Sequence, residues 1–318
     1  MQITTSHLSS TIPKRQLNDC SRALIETLLY FDIFNYPLRI DELVEFCQGY
    51  RIDKTTAEAE LAYLLEKKMI QKEDDFFIIS TDRSIVNRRK IGNELAQIKM
   101  KLALKMSDFI SRFPFVRCVC ISGSLSKNFM SKDSDIDFFI ITSPNRLWLC
   151  RGLLVLYKKV FLFNSHKHFC INYYLDTKTL EIPDHNLFTA TEISFLKPTY
   201  NPSVFEEFMH KNSWTQCYYP NKPKEQFYSN KPPSGIKNAL EKLLNGRLSE
   251  QLDALFFRLT LRRWKKKFTH FNQEEFDLNL RSRKNVSKHH PRGYQKIVLE
   301  SFEKKKSDFE IQYNVKLL

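Results

Sequence analysis

The stretch GSLSKNFMSKDSDIDFFIIT, residues 123–142, sets two aspartates one residue apart at the head of an apolar run. Side chains alternate along a strand, so Asp135 and Asp137 point the same way, about 7 Å apart. Two carboxylates so placed repel unless a cation joins them. A hard divalent ion, Mg²⁺ or Mn²⁺, shared between carboxylates and phosphate oxygens suits the pair. Upstream, Gly123 and Ser124 follow FVRCVCIS, residues 115–122, which reads as a strand. A glycine at that strand end lets the backbone approach a ligand closely. The free N–H groups of the turn suit a phosphate, and the Ser124 hydroxyl adds a hydrogen bond. Without Gly123 and Ser124 the aspartates would read as surface residues at a strand end.

Around this unit, residues 88–200 read as a small α/β module. A basic helix (88–113) stops at Pro114, and the two strands of the opening stretch follow. Next come an amphipathic helix, SPNRLWLCRGLLVLYKKVFLF, and a third strand, KHFCINYYLD. TKTLEI extends or pairs with that strand, and NLFTATEISFLKPTY is a further helix ended by Pro198.

Residues 20–80 have the pattern of a winged helix. Three apolar-periodic segments precede MIQKEDDFFIIS, a two-strand wing turning at Glu73-Asp74-Asp75. Thr55 and Glu58 have capping-box spacing at the start of the third helix. Glu58, Glu60 and Glu66 on that helix and an acidic wing tip oppose DNA reading, because phosphates are met by Lys and Arg. A structural or partner-docking role follows for this module.

The expected architecture is α+β: a winged-helix domain (1–84), a central α/β domain with a mixed sheet (85–217) and a basic helical C-terminal region (218–318). Residues 218–235, rich in Pro, Lys and Asn, read as a linker or surface loop. Net charge is +14. It is uneven: residues 1–80 carry 9 Lys and Arg against 13 Asp and Glu, whereas residues 236–318 carry 19 against 10. The loop LRSRKNVSKHHPRG holds Arg281, Arg283, Lys284, Lys288, His289, His290 and Arg292, a density that suits phosphate or nucleic acid.

Seven cysteines without framework spacing point to reduced thiols in a cytoplasm. The polar N-terminus lacks the apolar core of a signal peptide, and no apolar run is long enough to span a bilayer, so no membrane partner is expected. Cys118 and Cys120 read as core thiols. His166, His168 and Cys170 alternate on one strand, but with no fourth ligand they read as packing rather than a zinc site.

Gly-Ser, a spacer of about ten residues and Asp-x-Asp between apolar residues resembles the signature of the polymerase-beta-like nucleotidyltransferases. Ser134 before the pair fits the pattern, and Lys127 falls where many members carry a basic residue. More loosely, the whole chain resembles uncharacterised bacterial nucleotidyltransferases with an N-terminal winged helix. The resemblance implies transfer of an NMP from an NTP to an acceptor with two metal ions. Gly123, Ser124, Lys127 and Ser134 would then bind the triphosphate, and Asp135 and Asp137 would hold the metals. A third carboxylate is expected on the strand FCINYYLD. Asn172 matches its position best, and Asp176, four residues on, serves if the register is shifted. With Asp176 the chain is an active Mg²⁺-dependent enzyme acting on an unidentified acceptor. With Asn172 it is a degenerate domain that senses nucleotide, binds nucleic acid or docks a partner.

Overall fold

The computed structural model describes residues 17–161, 169–223 and 235–317. The first unit runs α1 (Asp19–Asp32), β1 (Leu38–Arg39), α2 (Ile40–Phe46), α3 (Lys54–Glu66), β2 (Gln71–Glu73) and β3 (Phe76–Ile78). Its strands form an antiparallel sheet in the order β1-β3-β2. The β2–β3 turn falls at Asp74 and Asp75, where the acidic tip is expected, and Asp74 takes a positive φ of 52°. Two expectations fail on α3. Its N-cap is Asp53, whose carboxylate accepts from the Thr56 N–H at 2.8 Å, so Thr55 already lies inside the helix. Glu60 is buried, accepting from the Ser21 hydroxyl at 2.5 Å and the Asn18 amide at 2.9 Å, and is no part of an exposed acidic face.

The long helix α4 (Ser84–Ser111) leads into the central unit. There follow β4 (Val116–Ser122), α5 (Gly123–Ser126), β5 (Asp137–Thr142), α6 (Leu147–Phe161), β6 (Cys170–Asp176), α7 (Leu187–Ser194), β7 (Lys197–Tyr200) and α8 (Pro202–Lys211). The remainder forms α9 (Gly235–Leu243), α10 (Arg247–Lys267), α11 (Gln273–Asn279), β8 (Ser282–Arg283), β9 (Val286–Lys288) and α12 (Tyr294–Tyr313).

The central sheet has six strands in the order β7-β4-β5-β6-β9-β8. Only β5 and β6 run parallel, joined through α6. Ile136, Phe138 and Ile140 face a core built with α4 and α6, whereas Phe139 and Ile141 face a second core with α7 and α8. This period-two split is the pattern of a strand buried on both faces. Pro198 does not end the helix, which stops at Ser194. It lies in β7, an edge strand, the place in a sheet where proline is tolerated. TKTLEI forms no strand.

The C-terminal region is not purely helical. The loop expected to meet phosphates is the β8–β9 hairpin, and β9 extends the central sheet by pairing with β6. Arg281 grips Asp184 with two bonds of 2.7 and 3.0 Å, and the buried Lys288 reaches Asp184 at 3.4 Å and Gln295 at 3.1 Å. These cations are engaged internally; Arg283, Lys284 and Arg292 are exposed. Residues 218–223 are not a free linker either. Tyr219 is buried, Asn221 bonds the backbone of Tyr50 and Ile52, and Lys222 pairs with Glu45. Residues 224–234, together with His166 and His168, lie outside the described residues, and Gly235 opens α9.

One core joins the first unit to the rest: α1, α2 and α3 pack with Ala190 and Phe195 beside α7 and with Val298, Phe302 and Phe309 of α12. Arg89 of α4 is fully buried at this junction, bonded to Glu42 and Asn93 with its guanidinium 3.8 Å from the Tyr36 ring centre.

All seven cysteines are free, and six are buried. Burial pushes the Cys47 and Cys150 thiols up to about 12. A folded-state pKa above the unfolded value gives stability that is complete below the unfolded pKa and is lost as pH rises toward the folded one. Denaturant unfolding should therefore show stability falling above pH 8.5, by on the order of 5 kcal/mol at pH 11. A flat profile over that range would contradict the burial of these thiols. Lys237, lowered to about 8 by burial, acts in the opposite sense between pH 8 and 10, which concentrates the fall above pH 10.

Candidate active site

Gly123 stands at the junction of β4 and α5 with φ +65°, a conformation side chains resist. A Cβ on it would lie 2.5 Å from Oδ2 of Asp137, so this glycine lets the strand end and the carboxylate share one space. Asp137 opens β5 and pairs with Ser122 on β4 and Cys170 on β6. Asp135 lies two residues earlier, with the fully buried Ile136 between them turned to the opposite face. Asp135 lies just outside β5, near enough for its charge to act on Asp137. Burial pushes the Asp137 carboxyl up to about 7; Cys170 opposes the rise, and the charges of Asp135 and Glu192 add to it.

The four predicted triphosphate residues divide. The Ser124 hydroxyl meets only the Met130 thioether, at 3.6 Å, among the described residues. Lys127 is one turn further on. Its Nζ donates to the Gly123 carbonyl at 3.3 Å and lies 2.8 Å from Oε1 of Glu192 on α7. The Lys127 carbonyl in turn accepts from the Tyr36 hydroxyl of the first unit. Ser134 instead closes the returning loop: its Oγ lies 2.6 Å from Ser131 Oγ and accepts from the Ser131 N–H at 3.2 Å.

The strand register decides between Asn172 and Asp176. Phe138 pairs with Ile171 but Phe139 pairs with Tyr173, so Asn172 is the extra residue of a bulge in β6. Its side-chain amide donates to Oδ1 of Asp137 at 2.7 Å, and its carbonyl accepts from the His289 N–H at the end of β9 at 2.8 Å. Asp176, proposed from sequence as catalytic, does not reach the site. It pairs with Thr142 at the far end of β5, about 17 Å along the strand from Asp137. The bulge also reverses its face, because inserting one residue inverts the alternation. Leu175 accordingly packs with Phe139 and Ile141, and Tyr174 with the opposite core. The buried Asp176 carboxylate accepts from the backbone N–H of Asn145 (3.3 Å) and Lys178 (3.0 Å), which is a loop-bracing role.

Glu192 went unread in the sequence, and His290 was read only as one member of the basic cluster at 281–292. Glu192 sits on a helix with no motif around it. His290 lies beside the Tyr173 ring, at 6.1 Å between centres, and burial lowers its imidazole to about 4. Both are brought in by long-range packing, and only the density of basic residues around His290 drew notice.

Gly123→Ala should move the Asp137 carboxylate or tilt α5, and so weaken any ligand held between them by about tenfold or more. The associated strain is of order 1 kcal/mol. Titration with Mg²⁺ and an NTP checks this, and an unchanged affinity would place the ligand elsewhere.

No curated protein and no solved structure matches the chain. Residues 103–213, from the last third of α4 through the whole β4–α5–β5 unit to the end of α8, match the family model of the nucleotidyltransferase domain. That stretch thus matches a nucleotidyltransferase domain of the polymerase-beta-like kind, and Gly123, Asp135 and Asp137 lie within the matched span.

Proposed function

We propose that this protein is a Mg²⁺-dependent enzyme that transfers an NMP from an NTP to an acceptor and releases pyrophosphate. The observation that carries this reading is the contact of Gly123 with Asp137, a strand end without a side chain placed against a carboxylate pair. Asp135 and Asp137 fit a divalent cation. They are two oxygen donors two residues apart, and their mutual repulsion and burial are relieved by positive charge. No cluster of three His, Cys, Asp or Glu side chains suited to a metal is found among the described residues, so the remaining ligands would be phosphate oxygens and water. A metal bound there would neutralise charge on the triphosphate and orient it for in-line displacement. Gly123 leaves room for the phosphates, the Ser124 hydroxyl donates to them, and Lys127 supplies a positive charge one turn away. Asn172 holds Asp137 in place through its amide.

The same observation at Asn172 favours a second reading, a nucleotide-binding module that retains NTP without turning it over. Incubating the protein with Mg²⁺ and each α-labelled NTP separates the two. The enzyme releases pyrophosphate; the module only retains label. Absence of both would overturn the assignment of the site.

We read the first unit as a winged helix, a reading supported by its three helices with β1 after the first and its β2–β3 hairpin. We read it as a bracing and docking element rather than a DNA reader. It holds the nucleotide loop through Tyr36, and Glu58 and Glu66 on α3 and Asp74 and Asp75 at the wing tip are acidic. The cysteine usage suits a reducing cytoplasm.

A further inference from the structure

The transfer proposed above needs a group to take the proton of the acceptor hydroxyl. Asp135 and Asp137 are committed to the cation. Asn172, the strand residue beside them, presents an amide whose N–H is already donated to Asp137. Asp176 faces the wrong way at the far end of the sheet. Among the described residues, Glu192 is the other carboxylate whose charge reaches Asp137. Glu192 projects from α7 with its side chain one-third exposed, and its charge bears on both Asp137 and His290. It is tied to the phosphate loop by Lys127, whose Nζ bridges Glu192 Oε1 at 2.8 Å and the Gly123 carbonyl at 3.3 Å.

The geometry points to Glu192 as the proton acceptor of the transfer step, held in reserve by Lys127 until a triphosphate draws Lys127 away. Lys127 is nearly buried and has one ammonium to share. A triphosphate lying against Gly123 and Ser124 offers that ammonium more negative charge than a single carboxylate does. When the ammonium turns to the phosphates, Glu192 loses its partner at the moment a base is needed. The acceptor O–H then gives its proton to the Glu192 carboxylate, and its oxygen forms a bond to the α-phosphorus. The bond from that phosphorus to the bridging oxygen breaks, and pyrophosphate leaves with the electron pair. Glu192 passes the proton to water after the product departs. An empty site keeps both charges paired, which makes the free protein a poor base and couples nucleotide binding to activation.

This inference rests on the transfer reading, and its test separates the two. Wild-type protein, Glu192→Gln and Glu192→Asp are titrated with ATP, CTP, GTP and UTP in Mg²⁺. Pyrophosphate release is followed for the nucleotide bound best, with water as acceptor. Glu192→Gln leaves Lys127 unpaired, so it should bind about threefold more tightly or better, yet release pyrophosphate about 100-fold more slowly. Glu192→Asp should recover part of the rate. Weaker binding in Glu192→Gln, or an undiminished rate, would overturn the role of Glu192 while the transfer reading stands. Wild-type binding without pyrophosphate release would also overturn it, in favour of the nucleotide-binding module. If the wild type binds no NTP, both readings fall together.

Discussion

Asp135→Asn combined with Asp137→Asn is expected to abolish Mg²⁺-dependent NTP binding, with a loss of affinity of at least about 100-fold, in a protein that folds normally. Changing groups that merely orient metal ligands costs roughly 10–100-fold, so replacing both charged ligands should exceed that range. The fold should survive because neither charge is used to hold it. Asp137 is raised toward 7, so its ionised form is disfavoured in the folded protein at neutral pH. Such a group contributes stability that is present below its unfolded pKa and lost as pH climbs through the folded value. An asparagine of the same shape removes that pH-dependent cost and can still bond the Asn172 amide. The double variant should melt within about 2 °C of the wild type, or above it. Calorimetric titration with Mg²⁺ and NTP, paired with a thermal melt, checks both halves. Unchanged affinity in a folded double variant would sink the metal assignment.

Arg89→Ala is expected to cost about 3–5 kcal/mol and to loosen the first unit from α4. Its guanidinium is wholly enclosed, bonded to Glu42 and Asn93 and laid against the rings of Tyr36 and Phe76. Truncation opens a cavity and strands the Glu42 carboxylate at the junction. Arg89→Lys should fail nearly as badly, because an ammonium cannot reproduce the planar fork that serves two acceptors and an aromatic face. The damage should reach the site, since Tyr36 also donates to the Lys127 carbonyl. Denaturant unfolding gives the stability change, and NTP titration gives the coupled loss of affinity. A wild-type unfolding midpoint in Arg89→Ala would show that the junction is held by apolar packing alone.

The β4–α5–β5 unit was legible because its chemistry is local. A glycine that must take positive φ, a serine beside it and two aspartates one residue apart lie within twenty residues, and each follows from backbone geometry. The helices of the first unit were legible for the same reason, through their 3.6-residue periodicity. Misreadings arose where the partner is remote. Glu60 looks exposed on a helical wheel until α1 supplies Ser21 and Asn18. Arg281 and Lys288 look like a phosphate-binding pair until Asp184, about a hundred residues earlier in the chain, takes both.

Sequence alone determined that this chain places a glycine turn and two aspartates in one short unit, because such a unit needs only its own backbone. Tertiary structure decided what completes the site. A single-residue bulge in β6 turned Asp176 away and left Asn172 against Asp137. Strand β9, from the far end of the chain, fixed that bulge in place, and α7 brought Glu192 to Lys127. Strand parity is a sum over every residue between two points, so one inserted residue reverses it, and only the pairing of whole strands reveals where that residue lies.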